Sequence, residues 1–120
     1  MWEIVWTEEC RNWIFEQDDD TREAILAHLL LLEDKGPILG RPFADTISGS
    51  KISNLKELRV QVKLKVIRIF YVLTNKRFCL LLSAGNKKGN KRFYDIMIPK
   101  AEKIYFNWIT SQKDHYYEKK

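Results

Sequence analysis

Histidine and cysteine are scarce in this chain, and their scarcity argues against several kinds of catalytic chemistry. Each occurs only twice among the 120 residues. Cys10 and Cys79 stand alone, with no CxxC spacing and no histidine at ligand spacing, so neither a zinc site nor a Cys/His nucleophile pair is expected. His28 falls inside a predicted helix and His115 in the C-terminal tail, which leaves no Ser/His/Asp set to assemble. We therefore predict no metal and no cofactor, and an enzyme built on this sequence would have to use Lys, Arg and Tyr.

Long apolar runs are missing as well. No run approaches the roughly 18 residues that cross a bilayer, and the opening MWEIVWTEEC lacks the basic and apolar regions of a signal peptide. We therefore expect no membrane partner and a cytosolic location. The length and the composition, 45% hydrophobic and 31% charged, predict one globular domain over residues 1–120, with a tail that frays beyond about residue 111.

Acidic residues are nearly absent from the middle of the chain. Between residues 41 and 92, thirteen Lys and Arg are balanced only by Asp45 and Glu57, which gives a net charge of +11. Residues 1–40 carry −7 and residues 93–120 carry +1, and the whole chain carries +5. A surface that meets phosphate groups shows this kind of segregation, although an acidic partner protein would be served equally well.

Hydrophobic periodicity predicts the element order β-α-α-β-β-β-α. The predicted elements are a strand at 2–6, helices from Thr7 to about Gln17 and from a capping box at 20–23 to Lys35, an ordered loop at 36–54, strands at 57–62, 66–73 and 77–84, and a helix that starts near Pro99. The three later strands should form an antiparallel meander. This pattern indicates an α+β fold, with a small, mainly antiparallel sheet, the two N-terminal helices on one face, and a C-terminal helix. The other face should be partly open and display the basic middle segment.

Arg68 is the residue that the predicted core accommodates least well. It shares a face of the strand VIRIFYVL with Val66 and Phe70, where an unpaired guanidinium would be costly. An internal ion pair with Glu57 or Asp45, or an edge position from which the side chain reaches solvent, would relieve that cost. An open sheet face would do so too, if the planar guanidinium there bound a phosphate through two hydrogen bonds. The residues alone leave these interpretations open.

The segment SAGNKKGNKRFY, residues 83–94, combines a glycine-rich backbone with positive charge, as anion-binding loops do. It lacks the spacing of a Walker motif and is not expected to open a helix. The plain interpretation is a solvated loop at a strand end, and the sharper one is a phosphate-binding loop. Tyr94 at its end could serve as an acid, a base, a stacking platform or a core aromatic.

Five blocks of the sequence together resemble a known family. They are GPILGRP, SGSKISNLKELRV, VIRIFYVL, LLLSAGNKKGNKRFY and IPKAEKIYFNWI, and they span most of the chain from about residue 2 to 108. Each block is weak alone, but the ordered set resembles the HigB branch of the RelE/ParE toxin superfamily, the phage-derived type found in bacterial type II toxin–antitoxin loci. The resemblance implies a microbial RNase-like fold and ribosome-dependent cleavage of mRNA in the A site. The implied reaction is metal-independent attack of a 2′-OH on the adjacent phosphate.

The resemblance also implies roles for individual residues. Arg68 matches the sheet-face arginine of the family and is assigned to the scissile phosphate. The other implied catalytic residues are Lys87, Lys88, Arg92 and Tyr94, and the implied RNA or ribosome contacts are Lys51, Lys56, Arg59 and Lys91. Neither histidine falls in a matching block, so the general base is not identified. On this basis we expect Arg68→Ala to abolish toxicity with little loss of stability.

The implied partners are a helix-turn-helix antitoxin of the HigA type, mRNA and the 70S ribosome, with operator DNA reached only through the antitoxin. An acidic antitoxin surface could cover the basic segment, or the antitoxin could bind the acidic helices instead. Two alternative functions remain. One is a ParE-like toxin that inhibits DNA gyrase without cleaving RNA, which should lack the Arg/Lys/Tyr set retained here. The other is an inactive relic that only binds its antitoxin.

Overall fold

The protein, seen here in a computed structural model, is described over residues 1–118, with side chains as far as Gln112. The elements are β1 (Glu3–Trp6), α1 (Glu8–Phe15), α2 (Asp19–Lys35), a 3-10 turn (Gly36–Ile38), β2 (Ala44–Thr46), β3 (Lys56–Val62), β4 (Lys65–Leu73), β5 (Phe78–Asn86) and α3 (Phe93–Glu118). This order confirms the predicted arrangement and adds β2 and the 3-10 turn within the segment expected to be a loop. Fraying is predicted beyond about residue 111. The backbone there is helical as far as Glu118, whereas the side chains beyond Gln112 and residues 119–120 lie outside the described part. Within the described residues, no helix has the length and apolar character needed to cross a bilayer.

All five strands form one sheet in the order β1-β5-β4-β3-β2. β1 runs parallel to β5 and the other neighbours are antiparallel, which confirms a mainly antiparallel sheet. Each hairpin of the meander turns through a residue with positive φ, Lys63 at 56° and Arg77 at 67°. A residue in the left-handed region is common in hairpin connections, both in two-residue turns and at the end of longer loops.

The two faces of the sheet are covered by different helices. On one face, α1 and α2 bury Cys10, Ile14, Ile25, Leu29 and Leu32 against alternate strand residues, including Leu58, Val60, Ile67 and Ile69. On the other, α3 packs Phe93, Met97, Ala101 and Ile104 onto Phe70, Val72, Leu80 and Leu82. The second face is therefore covered at its apolar end by α3. Its other end borders a groove that includes Arg59, Gln61 and Arg68.

Two helix starts differ from the prediction. α2 is capped by Asp18, whose carboxylate accepts a hydrogen bond from the Thr21 N–H at 2.8 Å, so the predicted capping box at 20–23 is wrong. α3 begins at Phe93, and Pro99 lies inside it. The proline signal places this start too late: Pro99 is the seventh residue of α3, where its missing N–H leaves the carbonyl of Asp95 without an intrahelical hydrogen bond. The segment 83–94 therefore does open a helix.

Candidate active site

The pairing of β3 with β4 brings two arginines together. Arg59 and Arg68 are direct partners in this antiparallel pair, so their side chains leave the same face of the sheet. Like charges in this position repel each other and need an anion nearby. Glu57 lies two residues before Arg59 and therefore on the same face. Because side chains alternate along each strand, the stretches ELR of β3 and VIR of β4 place their charged side chains in one cluster.

Glu57 is the centre of this cluster, although the sequence suggested it only as an ion-pair partner of Arg68 and not as a site residue. It is 4% exposed, with Oε1 at 3.5 Å from Nε of Arg68 and Oε2 at 3.6 Å from Nε of Arg59. Arg68 is 7% exposed and also donates from Nη1 to the carbonyl of Ile67 at 3.1 Å. The ion pair with Glu57 is one of the environments expected for Arg68. The register of the two strands was the available signal, since alternation alone places Glu57 on the face of the arginines.

Arg59 is not fully paired by the carboxylates near it. Asp45, the other carboxylate considered for Arg68, pairs instead with Arg41 at 2.8 Å. The buried Nε of Arg59 makes no hydrogen bond within the described part of the chain. The cluster therefore holds one more guanidinium than carboxylate, and a buried donor without a partner is costly unless a ligand supplies an acceptor.

Tyr94, in the first turn of α3, completes the cluster. Its hydroxyl donates to Oε1 of Glu57 at 2.7 Å and lies 3.4 Å from Nε of Arg68. Its ring meets Phe70 and Phe93 edge-on, with centroid distances of 6.1 and 5.3 Å. Of the roles left open for Tyr94, the ring therefore serves as a packed aromatic, while the hydroxyl is in place for proton transfer.

The environment of Tyr94 sets the protonation state of its hydroxyl. Burial, followed by the hydrogen bond to Glu57, raises the pKa of Tyr94 above its ordinary value. The phenol therefore stays protonated at neutral pH. It can hand its proton to the Glu57 carboxylate while its oxygen accepts another, but it is not a standing phenolate base.

Gly85 in β5 allows the first turn of α3 to approach the sheet. It is the partner of Arg68 across the β4–β5 ladder. A Cβ at this position would lie 2.9 Å from Cε1 of Phe93, closer than carbon atoms approach each other. The absence of a side chain here thus fixes where Phe93, and with it Tyr94, can sit.

The basic loop that follows β5 is tied to β4 at its start. The side-chain oxygen of Asn86 accepts hydrogen bonds from the backbone N–H groups of Val66 and Lys88 at 3.0 and 3.1 Å. The N–H of Lys87 donates to the carbonyl of Val66 at 2.7 Å. The Lys87 ammonium then lies 5.4 Å from the centre of the Tyr94 ring, which brings it to the cluster.

The other predicted site residues lie at different distances from this centre. Lys88, Lys91 and Arg92 are exposed on the loop beyond Lys87. Lys51 lines a second groove beside Tyr94, and its backbone N–H donates to the Glu102 carboxylate at 2.6 Å. Lys56 alternates onto the opposite face of β3, opposite Tyr71, so it lies away from this cluster, and its contact with RNA or the ribosome stays a prediction. The structure brings together Arg59, Arg68, Lys87 and Tyr94, leaves Lys51, Lys88, Lys91 and Arg92 at the margin, and separates Lys56.

A groove of about 430 Å³ opens beside the two arginines. Its lining residues are His28, Pro42, Phe43, Arg59, Gln61 and Arg68. His28 lies within α2, and its presence here depends on α2 lying across the edge of β3. The cluster is therefore accessible from one side through a groove.

The chemistry available at this site is charge neutralisation and proton transfer. Among the described residues, no group of three or more His, Cys, Asp or Glu side chains is arranged to hold a metal ion. Burial raises the pKa of Cys10 and of Cys79 to about 12, so both thiols are protonated and poor nucleophiles. Guanidinium, ammonium, phenol and carboxylate groups converge instead, and these suit a reaction at an anionic centre.

Known proteins resemble the chain over most of its length. Residues 12–105 match the family described as Phage derived protein Gp49-like (DUF891). A Mycobacterium tuberculosis protein named "Putative toxin HigB3" is 36% identical over 110 residues, which cover 91% of this chain and 95% of that protein. This chain belongs to the Gp49-like family of HigB-type toxins.

Two further comparisons place this HigB-type toxin more fully. A second M. tuberculosis protein, named "Putative toxin HigB2", is 33% identical over 116 residues, and the match covers 92% of this chain and 58% of that protein. The toxin therefore spans little more than half the length of this second relative. The crystal structure of the isolated E. coli RelE toxin superimposes with a TM-score of 0.61 at 10% identity, covering 81% of this chain and 96% of RelE. At that identity the likeness shows a common fold and nothing more specific.

Proposed function

We propose that this toxin cleaves translated mRNA in the ribosomal A site, by metal-independent attack of a 2′-OH on the adjacent phosphate. The observation that carries the proposal is the excess positive charge of the cluster. Arg59, Arg68 and Lys87 oppose the single carboxylate of Glu57, which leaves a net charge of +2 beside an open groove. A phosphodiester and the more highly charged phosphorane formed from it would neutralise this excess, and the stabilisation would be largest in the transition state.

The two arginines would bind the non-bridging oxygens of the scissile phosphate. Their planar guanidinium groups offer paired donors that match a phosphate, and both side chains line the open groove. Glu57 would hold both groups in position from within the sheet. The ion pair seen for Arg68 and its proposed action on phosphate are therefore compatible, because a guanidinium has five donors and Glu57 engages only part of them.

The proton transfers would run through Tyr94 and Lys87. The 2′-oxygen forms a bond to phosphorus while the bond from phosphorus to the 5′-oxygen breaks. The Tyr94 hydroxyl accepts the 2′ proton as it passes its own proton to Glu57, 2.7 Å away. The Lys87 ammonium supplies a proton to the departing 5′-oxygen, and the products are a 2′,3′-cyclic phosphate and a 5′-OH.

The exposed basic residues around the site would position the RNA. Lys51, Lys88, Lys91 and Arg92 are solvent-exposed, and contacts from such side chains to phosphates add affinity without sequence preference. Their contribution should weaken as salt is raised, since binding releases counterions from the RNA.

We further propose that a helix-turn-helix antitoxin of the HigA type holds the toxin inactive, and that both act in the bacterial cytoplasm, where ribosomes translate. The naming of the relatives as toxins supports a neutralising partner, because unrestrained cleavage of mRNA would stop growth. The antitoxin, and not the toxin, would contact operator DNA.

The test is cleavage of a defined mRNA by the purified chain in EDTA, with and without translating ribosomes, followed by mapping of both product ends. We expect cuts only with ribosomes, in codon register, with 2′,3′-cyclic phosphate ends. Inhibition of DNA gyrase without any cut would favour the ParE-like alternative. Binding of the antitoxin with neither activity would indicate a relic.

A further inference from the structure

The groove beside Arg59 and Arg68 has a second wall that the proposed reaction does not use. This wall consists of His28 from α2, Pro42 and Phe43 from the segment before β2, and Gln61 from β3. We propose that it is a nucleobase subsite, which receives the base of the mRNA nucleotide next to the scissile phosphate. The inference rests on the proposed function and adds to it the part of the substrate that the protein would recognise.

Phe43 provides the flat surface that a base requires. Its side chain is 41% exposed, although phenylalanine is normally buried. The carbonyl of Phe43 accepts a hydrogen bond from the N–H of Arg59 at 2.8 Å, so the backbone of Phe43 is held beside Arg59. The His28 ring lies 6.2 Å from the Phe43 ring at an interplanar angle of 58°. Unpaired bases stack on aromatic side chains held in this way, and each base has such a face to offer.

His28 and Gln61 provide groups that can read the edge of the base. The Nδ1 atom of His28 lies 2.8 Å from the carbonyl oxygen of Ala24. A carbonyl oxygen can only accept, so Nδ1 carries the proton and Nε2 of the neutral ring is an acceptor. Gln61 is exposed and offers an amide donor and an amide acceptor. The wall therefore combines an apolar face with groups of both hydrogen-bonding types.

Size and connection also fit a nucleotide. The groove volume of about 430 Å³ lies within the range of pockets that hold small organic ligands, roughly 300–1,000 Å³. Arg59 and Arg68 belong both to the charged cluster and to the groove lining. A nucleotide whose phosphate sits on the arginines would thus have its base directed along the groove towards Phe43.

The experiment measures binding of short RNA to the free toxin, so that it does not depend on cleavage. The probe is a dinucleotide whose attacking hydroxyl is 2′-O-methylated, and its matched control is an abasic dinucleotide with the same phosphate. We expect the base-containing probe to bind at least about fivefold more tightly. Chemical-shift changes should fall on Phe43, His28 and Gln61, and Phe43→Ala should remove the difference between the probes without changing the affinity for the abasic one.

Phe106→Ala is the matched control variant, since Phe106 is 47% exposed on α3 and does not line the groove. Equal binding of the two probes, failure of both to bind, or Phe43→Ala binding like the wild type would overturn the subsite. The toxin could prefer the base-containing probe through Phe43 and still cut no mRNA on ribosomes. That result would support the subsite and contradict the proposed function. If ribosomal cleavage does occur, an unchanged cleavage rate in Phe43→Ala would contradict the assignment to an mRNA base.

Discussion

Along β3, neighbouring residues face two different environments. Leu58 and Val60 point to the face covered by α1 and α2, where they are fully buried in an apolar core. Glu57 and Arg59, their alternates, point to the α3 face and meet Arg68. The first face follows the ordinary rule that apolar side chains drive burial. The α3 face departs from this rule at one end, where three charged side chains lie together on the sheet.

This difference indicates what each face contributes. A buried ion pair is no more stabilising than well-packed apolar residues of the same volume, because both charges lose their hydration. Charge on the α3 face is therefore not explained by stability, whereas the α1/α2 face is. Departures from local packing rules are expected at functional sites, and here they coincide with the open groove.

Removal of the Arg68 side chain should have the largest effect on stability, because it leaves a buried charge on the α3 face without its partner. We expect Arg68→Ala to lower the free energy of unfolding by about 3–5 kcal/mol, since Glu57 stays buried without its main partner. This replaces the expectation from sequence that stability would barely change. Urea denaturation measures the loss. The double variant Glu57→Gln/Arg68→Ala should recover most of the stability but no cleavage, and a double variant that cleaves would show that Arg68 serves only as a structural partner of Glu57.

Leu58→Ala makes the matching change on the other face. It leaves a cavity in the apolar core, and we expect a loss of about 2–5 kcal/mol. The folded molecules should nevertheless cleave mRNA at the wild-type rate, because Glu57 and Arg59 project to the opposite side. Single-turnover cleavage at low temperature, corrected for the folded fraction from denaturation curves, measures this. A reduced rate per folded molecule would mean that the two faces are not independent.

The sequence was enough to predict the sheet and part of the site, because both depend on local patterns. Alternation predicts β3, β4 and β5 and puts Arg68 on a face where it needs a partner. Alternation also places Glu57 on the face of the arginines, but its contact with Tyr94 could not be predicted, because Tyr94 is 37 residues away and arrives through the start of α3. The proline signal misplaces that start. His28 was equally hidden, because the position of α2 over the edge of β3 is a matter of tertiary packing.

Gly85→Ala should disturb the α3 face without removing any charge. A methyl group there would push on Phe93 and shift the first turn of α3, which carries Tyr94. We expect cleavage to slow by about 10- to 100-fold, since small misplacements of catalytic groups have effects of this size. Gly40→Ala is the control, because nothing lies near its Cβ position and its φ is not positive. Equal single-turnover rates for the two variants would show that the close approach at Gly85 does not matter.

The smallest effect is expected at the margin of the α3 face. The Glu102 carboxylate accepts hydrogen bonds from the N–H of Lys51 and the hydroxyl of Ser50, and the backbone hydrogen bond is the main cause of its lowered pKa. A carboxyl whose folded-state pKa is lowered contributes stability above its unfolded pKa, near 4.5, and that contribution is lost as the pH falls through the folded value. The melting temperature of Glu102→Gln should therefore lie below that of the wild type at pH 7 and converge with it in acid. A constant gap from pH 7 to pH 3 would contradict this linkage.

The most direct test of the account is Arg59→Ala, assayed for ribosome-dependent cleavage in EDTA with its melting temperature measured in parallel. The Arg59 side chain is 29% exposed, and its removal leaves Glu57 paired with Arg68, so stability should change little. Cleavage should fall by about 100- to 1,000-fold, as expected when one donor to a developing negative charge is lost. Cleavage at the wild-type rate by a stably folded Arg59→Ala would contradict the claim that the charged end of the α3 face acts on the phosphate.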